Sequence, residues 1–525
     1  MDTKVLRQKV LDLAIRGKLV PQDPNDEPAS VLLERIRQQK QQMVKDGKLK
    51  AKDIKNDTII FVSEDNLHYE KFADGSVKCI EDEIPFELPD GWAWSRLGAV
   101  AEAIGDGDHQ PPPQTSFGVP FLVISNVSGG RLSFENTRFV SKEYFSQLPE
   151  TRKPRNGDLL FTVTGSYGIP VLIDSDDKFC FQRHIAIVRP CTISNRYLYV
   201  ILGSSYVKSI CDAKATGTAQ KTVGLATLRE LLIPVAPYKE QMQIYAQTQD
   251  ALSIVDSVSS DKEDLLNIIE SAKTKILDHA IRGQLVPQDP TDEPASVLLE
   301  RIRAEKEELI KQGKIKRDKK ESVIFRGEDN SYYEKMADGK LHCLDNQLPF
   351  ELPDGWEWCN LSMIGTTNIG LTYRPTDIEP GGIMVLRSCN IVNDQVDLSG
   401  LVRVKTTVRE NQFAQKNDIL ICARNGSRSL VGKCALIPDL REPASFGAFM
   451  AIYRTEYFEF IVHYLRSSFF RSVFDDSNST AINQLTQDML KRAIVPLPPL
   501  SEQRRIVEAI GAMLFELNQI EKSLS

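Results

Sequence analysis

At 525 residues, of which 41% are hydrophobic and 26% charged, the chain is long enough for several globular domains with apolar cores. No stretch approaches the roughly 18–20 apolar residues of a transmembrane helix, and the amphipathic N-terminus lacks the apolar segment of a signal peptide. We therefore expect a cytoplasmic protein without a membrane partner.

The cysteines and the net charge narrow the class further. The nine cysteines show no CxxC or other metal-ligand spacing, which predicts reduced thiols, no disulfides and no metal site. The net charge of −7 argues weakly against nucleic-acid binding, which usually requires a basic surface. Residues 371–433 nevertheless contain nine Lys/Arg against six Asp/Glu, and a local basic patch matters more than the sum when phosphates are the partner.

The main organising feature of the chain is an internal repeat. Residues 9–53 recur at 275–319, an offset of 266 residues, and FELPDGWAW at 86–94 returns 264 residues later as FELPDGWEW. A fixed period of this kind predicts two homologous units. Because the repeat would continue from Ser525 into Met1, we also expect pseudo-twofold symmetry that brings the two termini together.

The predicted elements alternate between helical and mixed segments. A helix spans residues 3–16, and a second helix opens at Pro28 and continues to about Asp46. Short β-rich runs separated by Gly, Pro and Asn follow, which is typical of an α+β domain, and the pattern returns in the second copy. The predicted segments are an N-terminal helical region at 1–57, an α+β domain at 58–237, a central helical region at 238–320, a second α+β domain at 321–498 and a C-terminal helix at 499–525.

Residues 239–281 are predicted to form one long helix. Along it, a 4-3 spacing of ten positions is apolar at eight, which favours a coiled coil over a helix packed only on its own domain. Residues 501–523 repeat the first half of this segment and residues 2–16 repeat its second half, so we expect these terminal helices to be its partners. Ser260 and Glu263 form a capping-box pattern, which predicts a break in the helix at that point.

The doubled, ordered set of sequence strings carries a family resemblance. FELPDGW, then GDLL or NDIL before a Gly-Ser turn, then IP-x-x-P-x-x-EQ ahead of a long helix, resembles the specificity (S) subunit of type I restriction–modification enzymes over essentially the whole chain. The resemblance implies two repeated α+β target recognition domains in a pseudo-twofold arrangement, separated by an antiparallel two-helix coiled coil. Each domain would read one half of a bipartite, asymmetric site in double-stranded DNA, and the helical spacer would set the gap.

The same resemblance implies partners and cofactors. Two DNA-methyltransferase (modification) subunits are expected to dock on the chain, with restriction or translocase subunits joining them. S-adenosylmethionine, ATP and Mg²⁺ would belong to those partners, so we expect a non-catalytic chain without a cofactor of its own. The duplicated helices at 28–46 and 294–312 are candidate docking faces, and a solvated surface helix is an equal alternative for either one.

The two copies differ most where DNA recognition should vary. The helical regions are nearly identical, whereas residues 99–215 and 363–478 share little beyond scaffold strings. Two similar scaffolds that carry different DNA-reading segments predict a DNA site with two different halves. The alternative is a protein-interaction scaffold with two repeated docking modules and no DNA reading, which the acidic net charge supports.

Candidate DNA contacts lie in loops beside the predicted strands. Arg pairs best with guanine and Asn or Gln with adenine, and a Gly-Ser turn lets backbone amides approach phosphate. A turn or capping role is an equal alternative for most of these positions, and a structural role is favoured for Arg387. The candidates in the first copy are His109, Gln110, Thr164, Gly165, Ser166, Tyr167, Gln220 and Lys221. Those in the second copy are Thr372, Tyr373, Arg374, Arg387, Arg424, Asn425, Ser427, Arg428, Asn483 and Gln484.

Catalytic motifs are not found in the sequence. The chain lacks the N/D-P-P-F/Y/W string of adenine methyltransferases, and GSRSLVGKC at 426–434 has one residue too many between its glycines for a P-loop and Cys where Ser or Thr should follow Lys. Asp158 with residues 176–178 resembles the acidic pair and lysine of metal-dependent nucleases. The second copy keeps only Asp418 of that set, so a hairpin turn is the favoured interpretation.

Overall fold

The computed structural model of the chain describes two compact units. Unit 1 comprises residues 1–262 and unit 2 comprises residues 263–525, and the boundary falls inside the long helix that joins the two copies of the repeat. The five predicted segments stay a prediction, and the central one, 238–320, spans the boundary between the units. The described residues are 2–110, 112–218, 220–317, 321–475 and 484–524, with side chains described for all of them except 473–475.

Both units consist of helices and short strands. The elements that begin in unit 1 are α1 (Thr3–Ile15), α2 (Ala29–Lys45), β1 (Ile59–Val62), β2 (His68–Lys71), β3 (Val77–Cys79), β4 (Ala93–Arg96), β5 (Ala101–Asp106), β6 (Val119–Leu122), β7 (Arg138–Val140), α3 (Lys142–Gln147), β8 (Leu159–Thr162), β9 (Pro170–Leu172), β10 (Cys180–Phe181), β11 (Ile185–Pro190), α4 (Asn195–Leu202), α5 (Ser205–Lys214), α6 (Leu225–Arg229), β12 (Leu232–Val235) and α7 (Tyr238–Ile281). Those of unit 2 are α8 (Ala295–Lys311), β13 (Ser322–Arg326), β14 (Tyr332–Met336), β15 (Leu341–Cys343), β16 (Glu357–Asn360), α9 (Leu361–Ile364), β17 (Thr366–Ile369), β18 (Ile378–Leu386), β19 (Ile391–Val392), β20 (Gln395–Val396), β21 (Val402–Val404), β22 (Ile419–Cys422), β23 (Cys434–Leu436), β24 (Ala444–Phe446), β25 (Met450–Arg454), α10 (Phe458–Arg466), α11 (Ser468–Asp475), α12 (Gln487–Arg492), β26 (Ile494–Leu497) and α13 (Leu500–Leu524).

The sheets confirm the predicted α+β class. Unit 1 has a central sheet of strand order β5-β11-β8-β9, beside β10-β6-β7, the pair β12-β4 and the meander β1-β2-β3. Unit 2 has the order β17-β25-β22-β23-β20-β19 in its central sheet, beside β21-β18-β24, the pair β16-β26 and the meander β13-β14-β15. The same plan is thus built twice, with a longer central sheet in unit 2.

The central sheet of each unit brings distant loops to one end. In unit 1, β11 lies between β5 and β8 and runs antiparallel to both, so its start pairs with their ends. In unit 2, β25 has the same place between β17 and β22. The pairs at this end are Ala186 with Asp106 and Ile185 with Thr162 in unit 1, and Ala451 with Ile369 and Met450 with Cys422 in unit 2. The loops that leave these strands therefore lie together.

The core of each unit surrounds the innermost strands. All four residues of β8 and of β22 are buried, as expected for strands covered on both faces. The Trp of the repeated PDGW string reaches the same core: Trp92 meets Tyr197 edge to face at 6.3 Å between ring centroids, and Trp356 meets Phe460 at 6.4 Å. The repeated string therefore joins the helical region to the α+β domain.

The glycine that follows the first helix belongs to a second repeated string, IRG, and its surroundings explain why glycine recurs there. Gly17 has a φ of +63°, and a Cβ on it would lie 2.4 Å from Pro89 Cγ. Gly283 repeats this arrangement, with a φ of +68° and a distance of 2.5 Å to Pro353 Cγ. A side chain at either position would both strain the backbone and collide with the proline of the PDGW string.

Each terminal helix contacts the part of α7 that lies in its own unit. In unit 1, Arg7 of α1 forms an ion pair with Asp256, and Thr3 Oγ1 lies 3.3 Å from Ser259 Oγ, so the two helices run antiparallel. In unit 2, Lys273 Nζ of α7 lies 2.6 Å from Glu521 Oε2 of α13. These contacts are consistent with the predicted two-helix spacer.

The predicted break in the central helix is wrong. Helix α7 continues through Ser260 and Glu263, because both side chains are exposed and the backbone keeps its helical hydrogen bonds. Of the predicted seam, Ile244 is fully buried and Ile269 is 2% exposed, whereas Val258 is 37% exposed. Among the described helices, none is long and apolar enough to cross a membrane.

Candidate nucleic-acid interface

In unit 1, four loops gather at the end of the central sheet defined above. We call residues 107–110, 163–168, 182–184 and 216–222, without Ala219, loop cluster 1. Backbone contacts connect these loops: Arg183 N donates to Asp108 O at 3.0 Å, and Gly165 N donates to Lys221 O at 3.1 Å. The structure therefore brings together candidates that are more than a hundred residues apart in the sequence.

The first loop of loop cluster 1 presents His109 and Gln110. Both are exposed, and His109 Nε2 lies 2.9 Å from Asp106 Oδ2, which orients the ring. The neighbouring Asp108 is buried and accepts a hydrogen bond from Arg152 Nη1 at 3.2 Å. Asp108 thus holds the loop, and the two candidate side chains remain available for a ligand.

The Gly-Ser turn combines a structural part with an exposed part. Thr164 is buried, and its hydroxyl lies 3.2 Å from that of Thr222. Gly165 has a φ of +73°, which suits glycine and leaves Ser166 exposed at the tip. Thr164 is therefore part of the framework of the turn, whereas Gly165 and Ser166 present backbone and hydroxyl groups to solvent.

Tyr167 is held by the helix beneath the turn. Its hydroxyl donates to Asp212 Oδ1 at 2.8 Å, and this hydrogen bond raises the pKa of the tyrosine above its usual range. The Lys208 ammonium lies 4.0 Å from the centroid of the Tyr167 ring. The ring is half-buried and positioned, while Gln220 and Lys221 on the facing loop are exposed.

Sequence reasoning missed one basic residue of loop cluster 1. Arg183 is exposed at the start of β11, next to His184. Burial, followed by the charge of Arg183, lowers the pKa of His184 below its usual range. The signal was the dipeptide QR immediately before the β-rich HIAIVRP run, because a residue before a strand that starts at this end of the sheet falls in the cluster.

Unit 2 gathers its candidates at the equivalent end of its sheet. We call residues 370–374, 423–430 and 446–449, with Gln484, loop cluster 2. Leu371 N donates to Phe446 O at 2.6 Å, and Arg424 N donates to Phe449 O at 3.0 Å. Arg424 also pairs with Gln484 as an isolated β-bridge. The candidate Asn483 lies outside the described residues.

Arg424 is the most clearly presented side chain of loop cluster 2. It is exposed, and its guanidinium carbon lies 5.4 Å from the ring centroid of Phe449, which is itself 60% exposed. A cation–π contact of this kind restrains a long side chain without removing its hydrogen-bond donors. Sequence reasoning missed Phe449, although an aromatic residue directly before a strand at this end is the available signal.

The remaining candidates of loop cluster 2 differ in their exposure and in their contacts with neighbouring residues. Asn425 is half-buried, with its Nδ2 3.4 Å from Ser388 Oγ and its Oδ1 accepting from Ser427 N at 3.0 Å. Arg374 and Arg428 are exposed. Thr372 is exposed and Tyr373 is half-buried against a small apolar cluster. Both arginines are therefore accessible from solvent, and Asn425 would have to give up turn contacts to bind a ligand.

Arg387 lies beside loop cluster 2 at the end of β18. Its Nη2 donates to Gly400 O at 3.3 Å, and its side chain is half-buried. The backbone of the preceding Leu386 accepts a hydrogen bond from Gly447 N at 2.9 Å. The side chain is thus near the cluster and partly used in holding a neighbouring loop, while its buried Nε has no hydrogen-bond partner among the described residues.

Asp158, from the set that resembled a nuclease site, and its counterpart Asp418 in the second copy both have a structural role. Both carboxylate oxygens of Asp158 accept from the Arg189 guanidinium, at 2.9 and 2.7 Å. Asp418 accepts from Arg454 in the same way, at 2.6 and 2.7 Å. These carboxylates are nearly inaccessible and already paired, so they hold the central sheet to the segment that precedes it.

The two loop clusters are locally basic in an acidic protein. The segments that define loop cluster 2 contain Arg374, Arg424 and Arg428 and no Asp or Glu. Those that define loop cluster 1 contain Arg183 and Lys221, and their single acidic residue is the buried, paired Asp108. Phosphate attraction depends on the local field, so the net charge of −7 does not argue against an anionic ligand at these ends.

The comparisons with known proteins point to one family. A family model described as "Type I restriction modification DNA specificity domain" matches the chain twice, at residues 89–267 and 353–524. The chain is 29% identical to the type I restriction enzyme EcoAI specificity subunit of Escherichia coli, over 99% of this chain and 90% of that protein. It is 26% identical to the EcoEI specificity subunit of the same species, with the same coverage. A solved structure described as "Structural basis underlying complex assembly and conformational transition of the type I R-M system" covers 84% of this chain and 94% of its own at a TM-score of 0.51 and 18% identity, which supports the fold alone.

Proposed function

The chain belongs to the type I restriction modification DNA specificity family, and from that premise we propose that each unit reads one half of a bipartite, asymmetric DNA site. Specificity subunits are the non-catalytic components of these systems and recognise the DNA sequence. The finer assignment concerns which surfaces of this chain do so, and we assign the reading to loop clusters 1 and 2.

One observation carries this assignment. The two units share a scaffold, yet the loops at the equivalent end of each central sheet carry different polar and basic side chains. A scaffold that is held constant while its loops change is what two readers with different targets require. Loops on a rigid sheet also position side chains precisely enough to discriminate base edges.

The chemistry of the loops suggests how the two half-sites differ. In unit 2, the restrained Arg424 has the donors to pair with the O6 and N7 atoms of a guanine. In unit 1, Gln110 and Gln220 could each pair with an adenine, and the exposed Arg183 and Lys221 would contact phosphates. A guanine-reading cluster and an adenine-reading cluster would together select an asymmetric site.

The helices complete the proposed function. Helix α7 would act with its terminal partners as the spacer that sets the gap between half-sites, because a helical segment is stiffer than a Gly/Ser linker. The helices α2 and α8 would help to recruit two methyltransferase subunits, with restriction subunits joining them. S-adenosylmethionine, ATP and Mg²⁺ would be bound by those partners, and the complex would act in the cytoplasm.

The direct test maps methylated positions in a genome that carries this chain and its methyltransferase partner. We expect one bipartite motif with two different halves. The variant Arg424→Gln should change or relax one base pair in one half and leave the other half intact, since a lost bidentate contact costs about 1–3 kcal/mol of discrimination. The matched variant Lys221→Gln should weaken binding to all sequences alike and reduce its dependence on salt, as expected for a phosphate contact.

The alternative of a scaffold that does not read DNA predicts a different outcome. In that case, replacing basic residues of this chain should not change how the binding of random duplex DNA by its complex with the methyltransferase depends on salt. Methylation that ignores Arg424→Gln and every other substitution in the two loop clusters would contradict the assignment of reading to these loops.

A further inference from the structure

The two meanders lie outside the segments that match the family model. Meander 1 (β1–β3) and meander 2 (β13–β15) occupy residues 59–79 and 322–343, whereas the matches cover 89–267 and 353–524. Each meander has an inner face that packs on its own unit, through Ile60 beside Trp94 in the first and Ile324 beside Trp358 in the second. The opposite, outer face is largely exposed in meander 1, whereas in meander 2 it is exposed at Lys335, Leu341 and Cys343, with Phe325 half-buried and Val323 packed against the core of unit 2.

The outer faces are built from the same side chains in the same register. In meander 1, Phe61 opposes Tyr69, which opposes Cys79. In meander 2, Phe325 opposes Tyr333, which opposes Cys343. The neighbouring row consists of Ile59, Lys71 and Val77 in meander 1, and of Val323, Lys335 and Leu341 in meander 2.

The outer faces are apolar and accessible. Ile59 and Phe61 are each 39% exposed and Val77 is 51% exposed, while in meander 2 Leu341 is 57% exposed. Cross-strand aromatic pairs stabilise small sheets, and Phe61 and Tyr69 do stack at 6.0 Å between centroids. That role alone does not account for the exposed aliphatic row, because the inner face already supplies each meander with an apolar core.

Comparison of the two meanders shows which positions are kept. Four of the six outer-face positions are identical and the other two exchange one aliphatic residue for another. The exposed turn residues Glu64, Asp65 and Asn66 are also kept, as Glu328, Asp329 and Asn330, whereas Val62 is replaced by Arg326, Ser76 by Lys340 and Lys78 by His342. The two units thus present nearly the same meander surface while their DNA-reading loops diverge, which favours one ligand that binds both units alike.

The charge around the outer faces disfavours DNA as that ligand. Residues 58–83 contain seven Asp/Glu against two Lys, and residues 322–347 contain five Asp/Glu against three Lys/Arg. An acidic rim repels phosphates and suits a protein that presents Lys or Arg around an apolar surface. An aromatic centre with a charged rim is also the usual composition of a protein–protein interface.

Each meander is tied to a helix for which docking is already proposed. Lys40 of α2 is 2% exposed and pairs with Asp57 at 2.6 Å, just before meander 1. Lys306 of α8 pairs with Glu321 at 2.6 Å, just before meander 2. The start of each meander is therefore anchored to the helix of its own unit, α2 or α8.

We infer that the outer face of each meander docks one copy of the same protein partner, the methyltransferase subunit, through Phe61 and Tyr69 in unit 1 and Phe325 and Tyr333 in unit 2. The inference rests on the proposed function for the identity of the partner. It adds a contact surface outside the segments that the family model covers. Because one chain carries two equivalent surfaces, a single copy of it can bind two copies of the partner.

The exposed cysteines provide a test that needs no substitution. Cys79 and Cys343 lie on the outer faces and are exposed, as is Cys389, which lies outside both meanders. In the absence of DNA, saturating methyltransferase subunit should slow alkylation of Cys79 and Cys343 at least about tenfold, as burial in a specific interface requires, and leave Cys389 unchanged. Mass spectrometry of the cysteine-containing peptides measures all three rates in one sample.

Substitutions test the same surface by stoichiometry. Phe61→Glu and Phe325→Glu should each weaken one binding event by about 30-fold or more, as loss of an aromatic hot spot does, and leave the second event intact. Val62→Arg, which copies meander 2 at a neighbouring exposed position, is the matched control and should bind two subunits as wild type. Native mass spectrometry counts the bound subunits.

The outcomes separate the inference from the proposed function. A wild-type chain that binds no methyltransferase subunit would contradict the proposed function. Binding of two subunits with unprotected Cys79 and Cys343, or with wild-type stoichiometry in the Phe61→Glu, Phe325→Glu double variant, would overturn the meander assignment alone. Protection of these cysteines by DNA alone, or by raising the concentration of the chain alone, would assign the faces to DNA or to a second copy and would overturn it equally.

Discussion

Trp92 Nε1 donates a hydrogen bond to Glu240 Oε2 at 2.9 Å, in the buried junction between the α+β domain of unit 1 and the start of α7. Gln22 Nε2 donates to the other oxygen of Glu240 at 3.1 Å. Three repeated strings, VPQD, PDGW and the EQ that opens the helix, thus meet at one carboxylate. Unit 2 repeats the arrangement, with Trp356 donating to Glu502 at 3.0 Å.

Removing this carboxylate should destabilise the unit that contains it. Glu240 is 2% exposed, and Glu240→Ala leaves the buried Trp92 Nε1 donor without its acceptor, at a cost of about 1–3 kcal/mol, whereas Gln22 Nε2 keeps Gly17 O and Val20 O as acceptors. Hydrogen exchange of peptides from unit 1, followed in urea, measures the free energy of unfolding. Glu240→Gln keeps an acceptor oxygen and should cost less.

The matched variant Glu502→Ala should destabilise unit 2 instead of unit 1. Glu502 is 1% exposed and holds the equivalent pair of donors. Equal loss of protection in both units after either substitution would contradict a local role for the junction.

The two buried ion pairs should differ in how much they cost to break. Asp158→Ala leaves the Arg189 side chain, which is 10% exposed, as an unpaired buried charge, and we expect a loss of about 3–5 kcal/mol. The Arg454 side chain is 31% exposed, so after Asp418→Ala it can turn towards water and the loss should be smaller. Urea denaturation of both variants, monitored by hydrogen exchange in each unit, gives the comparison; equal losses would contradict the burial argument.

His463 should make unit 2 sensitive to acid. Its Nδ1 atom is inaccessible and has no hydrogen-bond partner among the described residues, and burial together with the charge of Arg466 lowers the pKa of His463 from 6.5 to about 4. Between these two values the unfolded chain binds a proton that the folded unit does not. Stability that is present above pH 6.5 is therefore lost as the pH falls towards 4, by about 2 kcal/mol at pH 5.

Unit 1 supplies the control for this prediction. Val200, which is fully buried, occupies the position that corresponds to His463 in the repeat. His463→Val should therefore reduce the loss of stability between pH 7.5 and pH 5 without an equal change at neutral pH. The free energy of unfolding of residues 458–466, from hydrogen exchange in urea, measures it; an unchanged pH profile would contradict the role of His463.

Shortening α7 should alter the gap between half-sites and nothing else. Deleting residues 260–266 removes one heptad from the most exposed part of the helix and keeps the phase of the flanking turns. The helix loses about 10 Å, and the preferred gap should change by up to about three base pairs. Methylation mapping reports the motif. An unchanged gap, or a change of bases within either half, would contradict the proposed spacer.

Much of the helical framework could be predicted from the sequence. Helices α2 and α8 begin one residue after Pro28 and Pro294, as the helix-start signal indicates. The predicted break at Ser260 failed because a capping-box pattern is a local preference, and the helical hydrogen bonds on both sides outweigh it.

The candidate site was predicted in pieces. Arg424 and Gln484 both stood out as polar residues next to scaffold strings, but their pairing across a β-bridge depends on strand order. Phe449 was missed although it lies directly before a strand at this end of the sheet, because its importance comes from the guanidinium beside it. The Phe–Tyr–Cys rows of the meanders were overlooked, since only the register places these three residues side by side.

The sequence by itself determined that this protein is a duplicated unit with constant helical regions and variable α+β domains, because a repeat is visible wherever the residues recur. Only the tertiary structure decided which loops share an end of the sheet, which acidic residues are already paired, and which apolar faces remain exposed. Antiparallel pairing joins residues by strand order and register, and these depend on packing between segments that lie far apart in the chain.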